Sequence, residues 1–314
     1  MNQKTQTLQP VIVLVGPTAS GKTSVAIALA QMFDAEIISA DSRQMYRHMT
    51  IGTAKPSADE LAQVPHYFID TLDPGDEYSA GQYSRDARAL IAQMRQAGKN
   101  IIVVGGSGMY IDALLNGFFE PIVQDKELQN ALKKRATEEG CEALYAELEK
   151  VDPERAAELA PLDAHRIVRA LEIFYTTRQK PSELLKRPRI PADFPFVQFA
   201  LEWDRTKLYR RIEMRVDQML EHGLLAEVKK LLDSGIPPQT NALLTVGYRE
   251  VIQFFAGDYT YEEMVDKIKQ HTRNYAKRQM TWFRRDDRIQ WIACSETTSA
   301  EEIATAMREK FTYQ

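Results

Sequence analysis

Gly16-Pro17-Thr18-Ala19-Ser20-Gly21-Lys22-Thr23 follows the spacing G-x-x-x-x-G-K-[ST]. Such a loop turns bare N–H groups toward an anion, its lysine adds a point charge, and its threonine hydroxyl can hold Mg²⁺. The chemistry on offer is capture of a di- or triphosphate, and the loop alone does not say whether that phosphate belongs to a nucleotide. A carboxylate follows at Asp41, in Asp41-Ser42-Arg43-Gln44. Beside a phosphate cradle it can serve as a general base, or it can simply cap the next turn. Gly105-Gly106-Ser107-Gly108 is a second glycine run, standing where a Walker B strand would end in a Mg²⁺-holding Asp. Its glycines suit close approach to a ligand or, equally, close packing of strand on helix. Cations come later: Arg211 and Arg215 are four apart, and Arg273, Lys277, Arg278 and Arg285 interleave with Tyr275, Trp282 and Phe283. Basic groups among aromatics suit phosphates and unstacked bases.

These residues need a scaffold, and the hydrophobic pattern supplies one. Val11–Val15 reads as a buried parallel strand feeding the first loop, with an apolar helix at Val25–Ala30 behind it. Ala35–Ser39 is a second strand that delivers Asp41 to its C-terminal end, where ligands gather in open α/β sheets. His66–Leu72 reads as a third strand, Ser79–Ala97 as a helix stopped at Gly98, and Ile101–Val104 as a strand ending in the second glycine run. From about Glu120, consecutive helical patterns without strands predict an all-α insertion. Phe196–Leu201 rejoins the sheet, Asp204 caps a helix through Leu208, Ile212, Val216 and Leu220, and Tyr261–Arg285 reads as one long helix. The expected fold is α/β, a P-loop-type parallel sheet flanked by helices with an all-α insertion. The expected boundaries are 1–120 for the first part of the core, 121–192 for the insertion and 193–314 for the second part.

With 314 residues, 44% hydrophobic and 27% charged, the composition is that of an ordinary globular protein. A formal charge of −4 excludes a globally basic nucleic-acid coat but not local basic patches. The 2 cysteines, Cys141 and Cys294, stand apart, without disulfide or zinc spacing. Met1–Pro10 lacks an apolar core and no apolar run is long enough to span a bilayer, so a cytoplasmic protein without membrane contact is expected.

Taken in order, GPTASGKT, DSRQMYRHMTIGTAKP (41–56), GGSGMY (105–110), HRIVRALEI (165–173), GYRE (247–250) and YAKRQMTWFRR (275–285) extend over nearly the whole chain. That series resembles the bacterial tRNA dimethylallyltransferases, also called tRNA isopentenyltransferases. Ser107 replaces the usual Thr and Met109 the usual Leu, each keeping the chemical character of the position. The sequence to Gln314 shows no zinc finger of the kind many eukaryotic members carry, so a bacterial-type enzyme is expected.

The resemblance implies that the cradle holds the diphosphate of dimethylallyl diphosphate. The acceptor is then N6 of the adenosine 3′ of the anticodon in tRNAs reading codons that begin with U. Asp41 becomes the general base, Arg215 and Lys22 stabilise the leaving group with Mg²⁺ held partly by Thr23, and Thr18 positions the bridging oxygen or Asp41. The tRNA contacts implied fall on Asp41, Ser42, Arg43, Gln44 and Ser107, on His165, Arg166, Ile167, Val168 and Arg169 of the insertion, and on Lys277, Arg278 and Gln279. The anticodon stem and loop is the partner, and the enzyme is expected to be a monomer. The competing readings are a P-loop nucleotide kinase, which the missing Walker B Asp opposes, and a free-adenylate isopentenyltransferase, which the long insertion opposes. A non-catalytic RNA-binding switch is disfavoured by Asp41.

Overall fold

Every residue of Val11–Val15 is buried, as expected of a strand with a packed layer on each face. The computed structural model describes residues 9–118 and 125–312. The first stretch comprises β1 (Val11–Val15), α1 (Lys22–Phe33), β2 (Ala35–Ser39), α2 (Ala58–Gln63), β3 (His66–Tyr67), α3 (Ala80–Gln96), β4 (Asn100–Gly105) and α4 (Gly108–Asn116). Helices follow without strands: α5 (Lys126–Glu138), α6 (Cys141–Val151), α7 (Pro153–Ala157), α8 (Ala164–Thr177) and α9 (Pro181–Leu185). The chain then returns through β5 (Phe196–Trp203), α10 (Arg205–Glu221), α11 (Leu224–Asp233), α12 (Tyr248–Ala256), α13 (Tyr261–Phe283), β6 (Ile289–Cys294) and α14 (Ala300–Thr312). The domain boundary expected at 120–121 and residues 1–8 of the polar stretch Met1–Pro10 lie outside the described residues.

The strands form a 6-stranded sheet in the order β3-β2-β4-β1-β5-β6, and every pairing is parallel. Strand β1 is central: Val15 pairs with Gly105 on one side and with Ala200 on the other. Alternate side chains serve opposite layers, as the pleat requires. Val11, Val13 and Val15 pack with α3 and α4, whereas Ile12 and Leu14 pack with α1 and α14. A third core, with Val216, Leu224, Val228, Tyr248, Val251, Met264 and Ile268, joins α10 to α13.

The chain divides into two units, Met1–Leu115 with Ala192–Gln314, and Asn116–Pro191. The second is helical in its described residues and has its own core around Leu144, Leu148, Ile167 and Leu171. Among the described residues, no helix is long and apolar enough to cross a membrane.

Two elements differ from expectation. The strand expected over His66–Leu72 stops at Tyr67, because Phe68 and Asp70 adopt left-handed backbone conformations, φ 62° and 52°, that no strand accommodates. Helix α2 was not expected, although its capping box, Ser57 with Glu60, is visible in the sequence.

Candidate active site

β1, β2 and β4 all end at one edge of the sheet, and the loops they release line, together with α10 and α13, a cavity of about 800 Å³. The first glycine loop lines it from Thr18 to Ser24. Gly16 and Gly21 have φ of 151° and 88°, which a side chain would strain. The loop is anchored by its carbonyls. Lys22 Nζ donates to the Pro17 oxygen at 2.6 Å, Arg211 Nε to that of Ala19 at 2.9 Å, and Trp203 Nε1 to that of Ser20 at 3.0 Å. The Arg211 guanidinium lies 4.3 Å above the Trp203 ring. Among the described residues, the N–H groups of Ala19, Ser20, Gly21, Lys22 and Thr23 donate to no protein acceptor. Anchored carbonyls with unspent amides at a helix N-terminus make an anion cradle.

The charges point the same way. Burial lowers the Lys22 ammonium to about 7; Asp41 opposes that shift and Arg215 adds to it. Arg215 is itself held below its ordinary range by burial and then by Arg211, with Asp41 opposing. Three crowded cations facing one carboxylate favour an anionic ligand.

Asp41 stands beyond β2. Its Oδ1 accepts from the N–H groups of Arg43 at 2.8 Å and Gln44 at 3.4 Å, so it caps the turn as well as facing the cavity. Its Oδ2 makes no hydrogen bond to protein among the described residues. The Ser42 N–H donates to Ser107 Oγ at 2.9 Å, which ties the Asp41 turn to the second glycine loop. Arg43 Nη1 reaches the Asn241 carbonyl at 2.8 Å and Gln44 Nε2 that of Ala54 at 3.0 Å. The neighbouring wall is held by Glu227, missed by sequence reasoning: its carboxylate accepts the N–H groups of Thr50, Ile51 and Gly52 at 2.9, 2.8 and 3.1 Å. No periodicity or motif in the sequence marks it.

The second glycine loop is filled by protein. A Cβ on Gly105 would lie 2.1 Å from the Ala40 oxygen, on Gly106 2.3 Å from Gln279 Nε2, and on Gly108 2.4 Å from Trp282. Packing, not ligand approach, explains these glycines. Helix α13 supplies the far wall through Tyr275, Arg278 and Gln279. Burial, then Asp41, raises the Tyr275 phenol above its ordinary range, with Arg43, Arg278 and a hydrogen bond from Gln279 opposing. Lys277 is exposed and does not line the cavity. Gln279, expected among the RNA contacts, is almost wholly buried in the cavity wall, and each end of its amide has a protein partner.

Beside α13, the buried Glu250 accepts from the Gly247 N–H at 2.7 Å and pairs with Arg249 and His271. Burial pushes its carboxyl up, but hydrogen bonds from His271, Arg249 and Gly247 outweigh that and leave it below its ordinary value. Glu250 thereby fixes Arg249 and His271 on the cavity wall.

In the helical unit, His165 and Arg166 are exposed at the start of α8, and Arg166 pairs with Asp163 at 3.4 Å. Arg169 is half-buried and held 2.8 Å from the buried carboxylate of Glu172. Ile167 and Val168, expected among the RNA contacts, are instead core residues of this unit. An amphipathic helix cannot present five consecutive side chains to one partner.

The sequence profile described as IPP transferase matches residues 44–286. The tRNA dimethylallyltransferase of Natranaerobius thermophilus is 42% identical over 93% of this chain and 89% of its own. Among solved structures, the full-length tRNA isopentenylpyrophosphate transferase of Bacillus halodurans is similar with a TM-score of 0.70 at 36% identity, covering 97% of each chain. A eukaryotic dimethylallyltransferase solved acting on tRNA has a TM-score of 0.83 at 29% identity, covering 97% of this chain and 80% of that one. With a matching profile over most of its length and relatives this similar from end to end, the chain belongs to the IPP transferase family.

Proposed function

We propose that this protein transfers the dimethylallyl group of dimethylallyl diphosphate to N6 of the adenosine 3′ of the anticodon, in tRNAs reading codons that begin with U, and releases diphosphate. The observation that carries the proposal is the cradle: five unspent N–H groups and three crowded cations at one end of a cavity whose other walls carry Asp41, Tyr275 and Arg278. It joins an anion site to a carboxylate within one enclosure, as an allylic diphosphate and a proton-bearing nucleophile require. The relatives' names supply the acceptor class.

The N6–C1 bond forms as the C1–O bond breaks, the N6 proton passes to a base, and diphosphate departs. Asp41 is the base: Oδ1 is spent on the backbone of its own turn, and Oδ2 remains to take the proton. Lys22, Arg211, Arg215 and the loop amides meet the charge that grows on the leaving group, and they are preorganised by the contacts that anchor the loop. Thr18 adds a hydroxyl beside the reacting oxygen. The adenine must leave its stack at a cost of a few kcal/mol, recovered by contacts within the cavity and along the backbone. Arg43 and Arg278 in the core, with His165 and Arg166 in the helical unit, are exposed or rim-placed and suit those contacts; Lys277 suits more distant phosphates.

Mg²⁺ fits this donor set. The Thr23 hydroxyl makes no hydrogen bond among the described residues, and it and the Asp41 carboxylate are hard oxygen donors. No group of three His, Cys, Asp or Glu side chains that could hold a metal occurs among the described residues, so Thr23 and Asp41 would share the ion with the diphosphate and water. When bound, the ion would neutralise leaving-group charge.

The test is incubation with labelled dimethylallyl diphosphate, Mg²⁺ and either unmodified tRNA or AMP. Label in tRNA alone is expected. Label in AMP, or ATP hydrolysis without transfer, would overturn the assignment.

A further inference from the structure

Helix α13 reaches past the cavity wall to the ends of two neighbouring strands. Gln279 lies 6% exposed between them. Its Oε1 accepts the Thr18 N–H at 2.9 Å, and its Nε2 donates to the Gly106 carbonyl at 2.8 Å. The last paired residues of β1 and β4 are Val15 and Gly105, beyond which the two chains diverge into their glycine loops. The side-chain amide therefore stands in for one more rung of the ladder, offering a carbonyl to one chain and an N–H to the other. Gly106 is what admits it, since a Cβ there would sit 2.3 Å from Nε2.

We infer that Gln279 is a positioning residue that locks the leaving-group loop to the second glycine loop and couples both to the acceptor-facing wall of α13. This rests on the proposed transfer reaction. Tyr275 and Arg278, one turn before it and immediately before it, line the cavity, so a shift of α13 on engaging the acceptor base is carried through the amide to Thr18. The chemistry of the joint selects glutamine. Glutamate lacks the donor, methionine lacks both partners, and asparagine is one methylene too short to reach both loops at once. Both ends of the amide are spent inside the protein, so Gln279 acts on the reaction through Thr18 and not through RNA.

Q279M preserves side-chain length and removes both hydrogen bonds. It is expected to bind tRNA within about twofold of wild type while weakening inorganic pyrophosphate by at least about fivefold, the effect of stranding one buried partner. Turnover should fall at least about tenfold, equivalent to one decade of barrier. Q279E gives the second readout. As a carboxylic acid it can donate to Gly106, so its activity relative to wild type should climb as pH falls from 8 to 5.5 at a temperature where thermal melts show both proteins fully folded, which separates the restored hydrogen bond from loss of folded protein. A raised KM for tRNA with unchanged kcat in Q279M would overturn the inference, as would unchanged pyrophosphate affinity in a cooperatively folding protein or a flat Q279E ratio. Pyrophosphate calorimetry needs no acceptor. Absence of transfer by wild type would therefore sink the functional reading alone, leaving the joint to stand or fall on the Q279M calorimetry.

Discussion

Two glycine loops leave adjacent strands of one sheet, and they use glycine for opposite reasons. In the first, Gly16 and Gly21 supply backbone angles: both have positive φ, and a Cβ on Gly21 would meet nothing nearer than Arg211 at 3.7 Å. In the second, Gly105, Gly106 and Gly108 supply room, because a Cβ on any of them would overlap Ala40, Gln279 or Trp282. The first loop is shaped by its backbone angles and the second by its neighbours. Glycine-rich sequence marks close approach, and only the surroundings say whether ligand or protein does the approaching.

The sharpest way to test that division is to damage one side without the other. Asp41→Asn keeps an oxygen for the Arg43 and Gln44 amides, so it should fold and bind tRNA normally while single-turnover transfer falls by about 10² to 10⁴. Equal loss in filter binding and transfer would return Asp41 to a capping role. Next in size, Gly105→Ala should cost 3 kcal/mol or more, roughly the upper range for overpacking, and show as a large fall in thermal midpoint or failure to fold. Gly21→Ala should cost only about 1–2 kcal/mol, the strain of a left-handed Ala, yet spoil pyrophosphate binding. Comparable melting losses in the two variants would erase the contrast.

A third effect is pH-dependent. Lys22 in the ligand-free protein titrates at about 7, so it is charged below that pH and sheds its proton above it. Diphosphate binds the charged form, so affinity is highest below pH 7 and falls by up to about tenfold per pH unit above it. Lys22→Arg remains charged, and calorimetry should show a flatter profile with the ligand's own ionisation common to both proteins. The smallest effect belongs to the helical unit. Arg166→Ala should weaken tRNA binding a few-fold and reduce the salt slope by about 1. Arg169→Ala is a poorer probe because it strands the buried Glu172, and the helical unit should lose stability through an unpaired charge.

The phosphate loop, the strands beside it and the all-helical character of the described insertion were readable because their signals are local: a fixed spacing, a run of apolar residues, a capping aspartate. Asp41 was readable as a residue at a strand end. Gln279 was not readable as a joint, since its partners Thr18 and Gly106 are remote in sequence and only the parallel register brings them together. Glu227 was invisible for the same reason. Ile167 and Val168 were legible but passed over: the helical period that places His165 and Arg166 outward places them inward, and a motif taken whole ignores that period. The left-handed Phe68 has no signature in residue type, and Asp70 only the weak tolerance of Asp for that region.

The sheet order has a consequence for synthesis. Strand β1 lies between β4 and β5, and the chain of the helical unit must emerge from the ribosome between those two partners. Until β5 appears, five wholly apolar residues stand as an open edge at what will become the middle of the sheet. A nascent or truncated chain ending near Leu115 thus displays its stickiest strand unpaired. Premature termination within the helical unit should yield an aggregating fragment and a client for chaperones.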